Sequence, residues 1–135
     1  MASIRKDISL PVPAAQAWDA LADFYAVHTR VAPGFLTDLK VAEDGARVVT
    51  FANGSVAAEY MVSCDHDNRR LAYTIPSERM RAHMASAQVF ETGPNACQVV
   101  WITDVLPDDI ALYIDGQMSA GAEVMSKALA AEPVA

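Results

Sequence analysis

The stretch PDDIALYIDGQMSAGAEVMSKALAA, residues 107–131, decides how the rest of the chain is read. Projected at about 100° per residue, Ile110, Ile114, Gln117, Gly121, Val124, Met125 and Ala128 share one face, whereas Asp108, Asp115, Ser119, Glu123 and Lys127 lie away from it. The spacing predicts one long amphipathic helix, opened by Pro107, with Asp108 and Asp109 in a first turn where negative charge complements the helix dipole. Its inward face carries Gln117 and Gly121 at mid-length, where a filled core more often has Leu or Ile. Small and polar residues there are expected to leave room.

Upstream of that helix the chain reads mostly as strands. Ser3–Leu10 alternates with period two and ends at Pro11 and Pro13. Ala14, Trp18, Leu21 and Tyr25 then recur at helical spacing, and a second short helix over Asp23–Arg30 is stopped by Pro33-Gly34. Six strand-like runs follow: Phe35–Glu43, Arg47–Ala52, Val56–Cys64, Arg69–Ile75, His83–Glu91 and Ala96–Leu106. Asp44-Gly45 and Asn53-Gly54 are strong hairpin signals, and most other connections are as short, so consecutive strands should pair antiparallel. The expected class is α+β: one antiparallel sheet of seven strands, two short N-terminal helices, and a long C-terminal helix that closes a cavity against the sheet.

Composition narrows the function. A chain of 135 residues fits one domain, 1–135, able to bury roughly two thirds of its unfolded surface without a metal or disulfide. Although 53% of residues are hydrophobic, the apolar runs are broken far short of the roughly 20 needed to span a bilayer, so no membrane insertion is expected. No apolar stretch of signal-peptide length follows the N-terminal basic residues, and a cytoplasmic location is the expectation. Cys64 and Cys97 share no metal-type or redox spacing and are read as free thiols. The net charge of −7, with scattered Lys and Arg, speaks against a nucleic-acid partner. Nothing matches a serine nucleophile, a phosphate-binding glycine loop, a dinucleotide fingerprint or a zinc site, so neither cofactor nor metal is expected. The Asp65-His66-Asp67 cluster has the right composition for a metal, but neighbours at a turn rarely converge on one ion.

Several short motifs occur together in a telling order: AWDALADF (17–24), Pro33-Gly34, Gly45 with Arg47, Asn53-Gly54 followed by Glu59, RRLAYTI (69–75), and VVW (99–101) before DVLP (104–107). The series resembles the polyketide cyclase/dehydrase family 2 pattern, within the START-like or Bet v 1-like superfamily of helix-grip proteins, over roughly residues 3–130. The resemblance implies a curved seven-stranded sheet gripping the C-terminal helix around a deep cavity. It also implies binding of small hydrophobic or amphipathic molecules such as polyketides, lipids or sterols, with cyclisation or dehydration of a polyketide as the enzymatic alternative.

Candidate site residues come from strand alternation. On the sixth strand His83, Ala85, Ala87 and Val89 share a face, and on the seventh Trp101 and Thr103 turn inward if Asp104 faces solvent. Tyr73 and Ile75 point inward by the same logic. Arg47 and Glu59 lie opposite each other on one face if the Asn53-Gly54 hairpin has a three-residue loop with Gly54 left-handed; a two-residue loop separates them. The pair is either a structural salt bridge or a means of positioning a ligand, with Glu59 as a general base. His83 is either a proton shuttle, oriented by Tyr73 or Glu59, or a hydrogen-bonded residue at the pocket mouth. Trp18 reads as a core anchor, and Trp101 as core or ligand-stacking. The expected ligand contacts are thus Arg47, Glu59, Tyr73, His83, Trp101, Gln117, Gly121 and Met125, with His83, Glu59 and Arg47 as the catalytic candidates if there is a reaction. A small hydrophobic molecule is the expected partner, with a homodimer as a prior from the frequency of symmetric oligomers.

Overall fold

The computed structural model describes residues 2–131; Met1 and residues 132–135 of the expected domain lie outside them. Strand β1 (Ala2–Leu10) leads into α1 (Ala14–Ala22), a 3-10 turn (Phe24–Ala26) and α2 (Val27–Arg30). Six strands follow: β2 (Leu36–Val41), β3 (Arg47–Phe51), β4 (Val56–Asp65), β5 (Arg70–Thr74), β6 (Ala82–Gly93) and β7 (Ala96–Leu106). A 3-10 turn (Asp108–Ile110) opens α3 (Ala111–Ala131), so the expected helix begins with a tighter first turn.

The seven strands form one antiparallel sheet in the order β1-β7-β6-β5-β4-β3-β2. Consecutive strands from β2 to β7 are hairpin neighbours, and β1 returns to pair with β7, Ile4 opposite Thr103 and Ile8 opposite Val99. Register shifts within β2 (Leu36/Asp38), β4 (Met61/Ser63) and β6 (Glu91/Gly93) bend the strands and curve the sheet.

The Asn53-Gly54 turn resolves the register that the sequence left open. Phe51 N–H donates to the Ser55 carbonyl at 2.8 Å, and Gly54 takes φ +89°, a left-handed conformation that glycine adopts without a Cβ penalty. The loop therefore has three residues, Thr50 pairs with Val56, and Arg47 falls opposite Glu59.

Helices α1 and the second half of α3 cover the main core. Trp18 and Leu21 from α1, and Met125 and Leu129 from α3, pack with Leu10, Val89 and Val99 of the sheet. Each fully buried aliphatic side chain of this kind contributes about 1.5–3 kcal/mol. A smaller cluster of Ile4, Val105 and Met118 lies under the first half of α3, and Trp101 packs against both clusters. Lys6 pairs with Asp115 and ties β1 to the same helix. The buried stripe of α3 is Met118, Gly121, Met125 and Leu129, whereas Val124 and Ala128 are only half-buried. The expected face was thus offset: Met118 and Leu129 belong to the stripe that faces the sheet, and the projection from Ile110 and Ile114 carried the face toward 124 and 128. No helix among the described residues is long and apolar enough to cross a membrane.

Candidate functional site

A cavity of about 520 Å³ lies between the concave face of the sheet and α3. Its wall is mostly apolar, built by Leu36, Phe51, Ala57, Leu71, Ile75 and Met118 among others. A shallow depression of Arg79, Pro107, Asp109, Ile110 and Tyr113 adjoins it, sharing Arg79, Ile110 and Tyr113 with the cavity lining. All eight residues expected as ligand contacts line the cavity: Arg47, Glu59, Tyr73, His83, Trp101, Gln117, Gly121 and Met125. Thr103, Phe35 and the 76–81 loop residues Ser77, Arg79 and Met80 line it as well. Thr103 was visible in the β7 alternation; Phe35 and the loop carry no periodic signal.

Arg47 is the most constrained polar group. Arg47 Nε donates to Glu59 Oε1 at 2.7 Å, and Arg47 Nη1 donates to the Phe24 carbonyl at 3.0 Å. Its guanidinium lies 4.0 Å from the Phe24 ring centroid and 5.1 Å from that of Tyr73, within cation–π range of each. Both partners of the ion pair are buried, with side-chain exposures of 4% and 8%. Through Nε, Nη1 and the two rings Arg47 braces β3, β4 and the 24–26 turn, and its Nη2 has no hydrogen-bond partner among the described residues. Glu59 is different, because its second carboxylate oxygen has no hydrogen-bond partner among the described residues.

Trp101 Nε1 donates to the Tyr73 hydroxyl at 3.1 Å across the sheet. Burial pushes the Tyr73 phenol well above its ordinary range, and the nearby Glu59 carboxylate adds to the effect. Tyr73 is therefore a neutral donor at any working pH.

His83 is held differently from expectation. Its partner is neither Tyr73 nor Glu59: the Ile75 backbone N–H donates to His83 Nδ1 at 3.1 Å, because β6 places His83 beside the end of β5. The Tyr73 and His83 rings are neighbours, with centroids 6.4 Å apart. With Nδ1 accepting, a neutral imidazole carries its proton on Nε2. Burial lowers the His83 pKa from its ordinary 6.5, opposed in part by hydrogen bonding to its own backbone. A lowered folded-state pKa means that the unfolded chain takes up this proton first as pH falls below about 6.5, so the stability held above that pH is lost on acidification. Urea midpoints at about pH 7.5 and about pH 5.5 should therefore show a smaller acid loss in His83→Gln than in the parent chain. An equal loss would place the acid sensitivity elsewhere.

Gly121 does not leave empty space, as the sequence suggested. A Cβ there would stand 3.2 Å from Phe35 Cε2 and 3.2 Å from Trp101 Cη2, so the two rings already occupy the notch that the glycine opens. The small residue admits the indole, and the open volume lies beyond it. Gly121→Leu would accordingly test packing before binding.

The remaining candidates have structural roles. Trp18 is a buried core residue whose Nε1 donates to His66 Nδ1 at 3.2 Å, and Asp65 bonds Asn68 within the β4–β5 turn. No group of His, Cys, Asp or Glu among the described residues is arranged to hold a metal ion. Cys64 and Cys97 are free, and burial raises both thiols above their ordinary range.

Solved structures share this architecture. An uncharacterised protein from Bacillus thuringiensis superposes with a TM-score of 0.82 at 19% identity, covering 95% of this chain and 98% of its own. A Thermobifida fusca protein gives 0.78 at 26% identity, covering 96% and 91%. Norcoclaurine synthase from Thalictrum flavum, in complex with dopamine and hydroxybenzaldehyde, gives 0.73 at 17% identity, covering 99% and 89%. No curated protein sequence matches the chain. The family model described as "Polyketide cyclase / dehydrase and lipid transport" matches residues 1–131. With that match across nearly its whole length and the helix-grip fold around a cavity, the chain belongs to the polyketide cyclase/dehydrase and lipid transport family.

Proposed function

We propose that the chain, acting as one domain over 1–135, binds a small hydrophobic or amphipathic molecule inside the cavity. The observation that carries this reading is the cavity itself: about 520 Å³, largely apolar, with a few buried polar groups converging on it. That volume falls within the range of small-molecule sites, roughly 300–1,000 Å³. The family description and the ligands held by norcoclaurine synthase support the same class of partner. The contacts proposed are Arg47 and Glu59 as the ionic floor, Tyr73 and His83 as hydrogen-bond donors, and Trp101, Gln117, Gly121 and Met125 as the wall toward β7 and α3. The reading includes a cytoplasmic setting, a second copy of the chain as partner in a homodimer, and no role for nucleic acid or membrane insertion.

A second reading, acid/base catalysis of polyketide cyclisation or dehydration, is favoured by one feature: Glu59, Tyr73 and His83 line the same cavity. A catalyst would lose turnover and keep affinity on His83→Ala, whereas a carrier has no turnover to lose. Titration calorimetry with the neutral probe 2-acetylnaphthalene tests the shared premise. Saturable one-to-one binding with a negative heat-capacity change is expected. Heats that never saturate would overturn it.

A further inference from the structure

The cavity holds polar groups whose hydrogen-bonding capacity is unmet, and their pattern specifies a ligand. Polar atoms enclosed by protein are nearly always paired, whereas the unmet ones of Glu59 and Thr103 belong to residues that line the cavity, where a ligand can reach them. Glu59, 6% exposed, uses one oxygen on Arg47 and has no partner for the other among the described residues. Tyr73, 9% exposed, accepts from Trp101 and has no acceptor there for its own proton. His83 spends Nδ1 on the Ile75 amide, which leaves Nε2–H to donate. The hydroxyl of Thr103, a residue 3% exposed, has no hydrogen-bond partner among the described residues. Glu59 is thus a charged acceptor, Tyr73 and His83 are neutral donors and the Thr103 hydroxyl can serve as either, on one apolar cavity to which Arg47 Nη2 and the Gln117 side-chain oxygen add further unpaired groups.

Charge sharpens the pattern. Arg47 is already committed to Glu59 and the Phe24 carbonyl, with aromatic rings near its guanidinium. The Arg47 charge is thus already balanced by Glu59, and the other cation of the lining, Arg79, is exposed on the 76–81 loop, so a ligand carboxylate beside the bare Glu59 oxygen would bring a second negative charge to one cation. A hydroxyl donating to that oxygen makes a charge-assisted bond, of the stronger kind.

We propose that the cavity selects a neutral molecule carrying both a hydroxyl and a carbonyl on one apolar skeleton, the hydroxyl donating to Glu59 Oε2 and the carbonyl accepting from Tyr73 and His83. This rests on the container reading above and names the class of molecule contained. Thr103 serves whichever polar substituent reaches β7.

Four probes of one skeleton test it by calorimetry on the unaltered chain: 2-acetyl-6-hydroxynaphthalene, its 6-methoxy ether, 2-naphthol and the anion 6-hydroxy-2-naphthoate. The hydroxy-ketone is expected to bind best. The methoxy ether should be about 10-fold weaker through loss of the donor to Glu59, and 2-naphthol about 5-fold weaker through loss of the carbonyl. The naphthoate should be weaker than the ketone by more than about 10-fold. Glu59→Gln keeps a carbonyl oxygen for Arg47 and should shrink both the ether penalty and the anion penalty. If the four probes bind within about threefold of one another, the cavity is a container without this code. A naphthoate that binds best overturns the charge argument, and if none of the four binds saturably the container reading falls too. Should Glu59→Gln fail to fold, the four affinities of the parent chain still decide.

Discussion

Arg47→Met is expected to destabilise the fold by roughly 3–5 kcal/mol, because it leaves the buried Glu59 carboxylate without its cation. That is a large part of the 5–15 kcal/mol typical of a domain's total stability. The same substitution strips the Phe24 carbonyl of its donor and removes a cation from near the Phe24 and Tyr73 rings. Combining it with Glu59→Leu should recover most of the loss, since a hydrophobic pair of similar volume escapes the desolvation of two buried ions. Urea denaturation of the parent, both single variants and the double variant gives the coupling energy of the pair. A double variant as unstable as Arg47→Met would mean that the Phe24 contact, and not charge compensation, is what the arginine supplies.

Ala57→Phe is expected to abolish probe binding while leaving the fold intact. Ala57 lies on β4 two residues before Glu59, on the same face, half-buried and lining the cavity. A phenyl group there would enlarge a residue of the cavity wall, unlike a larger residue at Gly121, where the Phe35 and Trp101 rings stand in the way. Affinity for 2-acetyl-6-hydroxynaphthalene should fall at least about 100-fold, equivalent to about 2.7 kcal/mol. The thermal midpoint should hold, because filling apolar space adds contacts without straining neighbours. Binding within about threefold of the parent would place the probe outside the cavity.

The fold was legible because its signals are local. Period-two runs, two Asx-Gly turns and one long helical pattern fix the elements and their antiparallel order, and the inward faces of β6 and β7 follow from alternation alone. The pairing of Arg47 with Glu59 was not legible, since it depends on whether Gly54 takes a left-handed conformation that two hairpin lengths both permit. Neither was the meaning of Gly121, because one residue cannot say whether the notch it makes is empty or filled by a ring from another strand. The Nδ1 partner of His83 is a backbone amide, which has no side-chain identity to read. The 76–81 loop and Phe35 line the cavity with no periodicity to announce them. What sequence conveyed was the inventory of polar groups; their free valences emerged only from who bonds whom.

The two tryptophans allow one spectrum to locate the ligand. Trp101 Nε1–H bonds Tyr73 on the cavity wall, whereas Trp18, a core residue of α1, bonds through Nε1–H to the exposed His66 of the β4–β5 turn and lies outside the cavity lining. An ¹H–¹⁵N correlation spectrum recorded during titration with 2-acetyl-6-hydroxynaphthalene reports on both indoles at once. Binding in the cavity moves the Trp101 resonance and leaves that of Trp18 in place, and neither moves in Ala57→Phe. A shift confined to Trp18, or a saturating titration in which the Trp101 resonance stays fixed, would contradict binding between the sheet and α3.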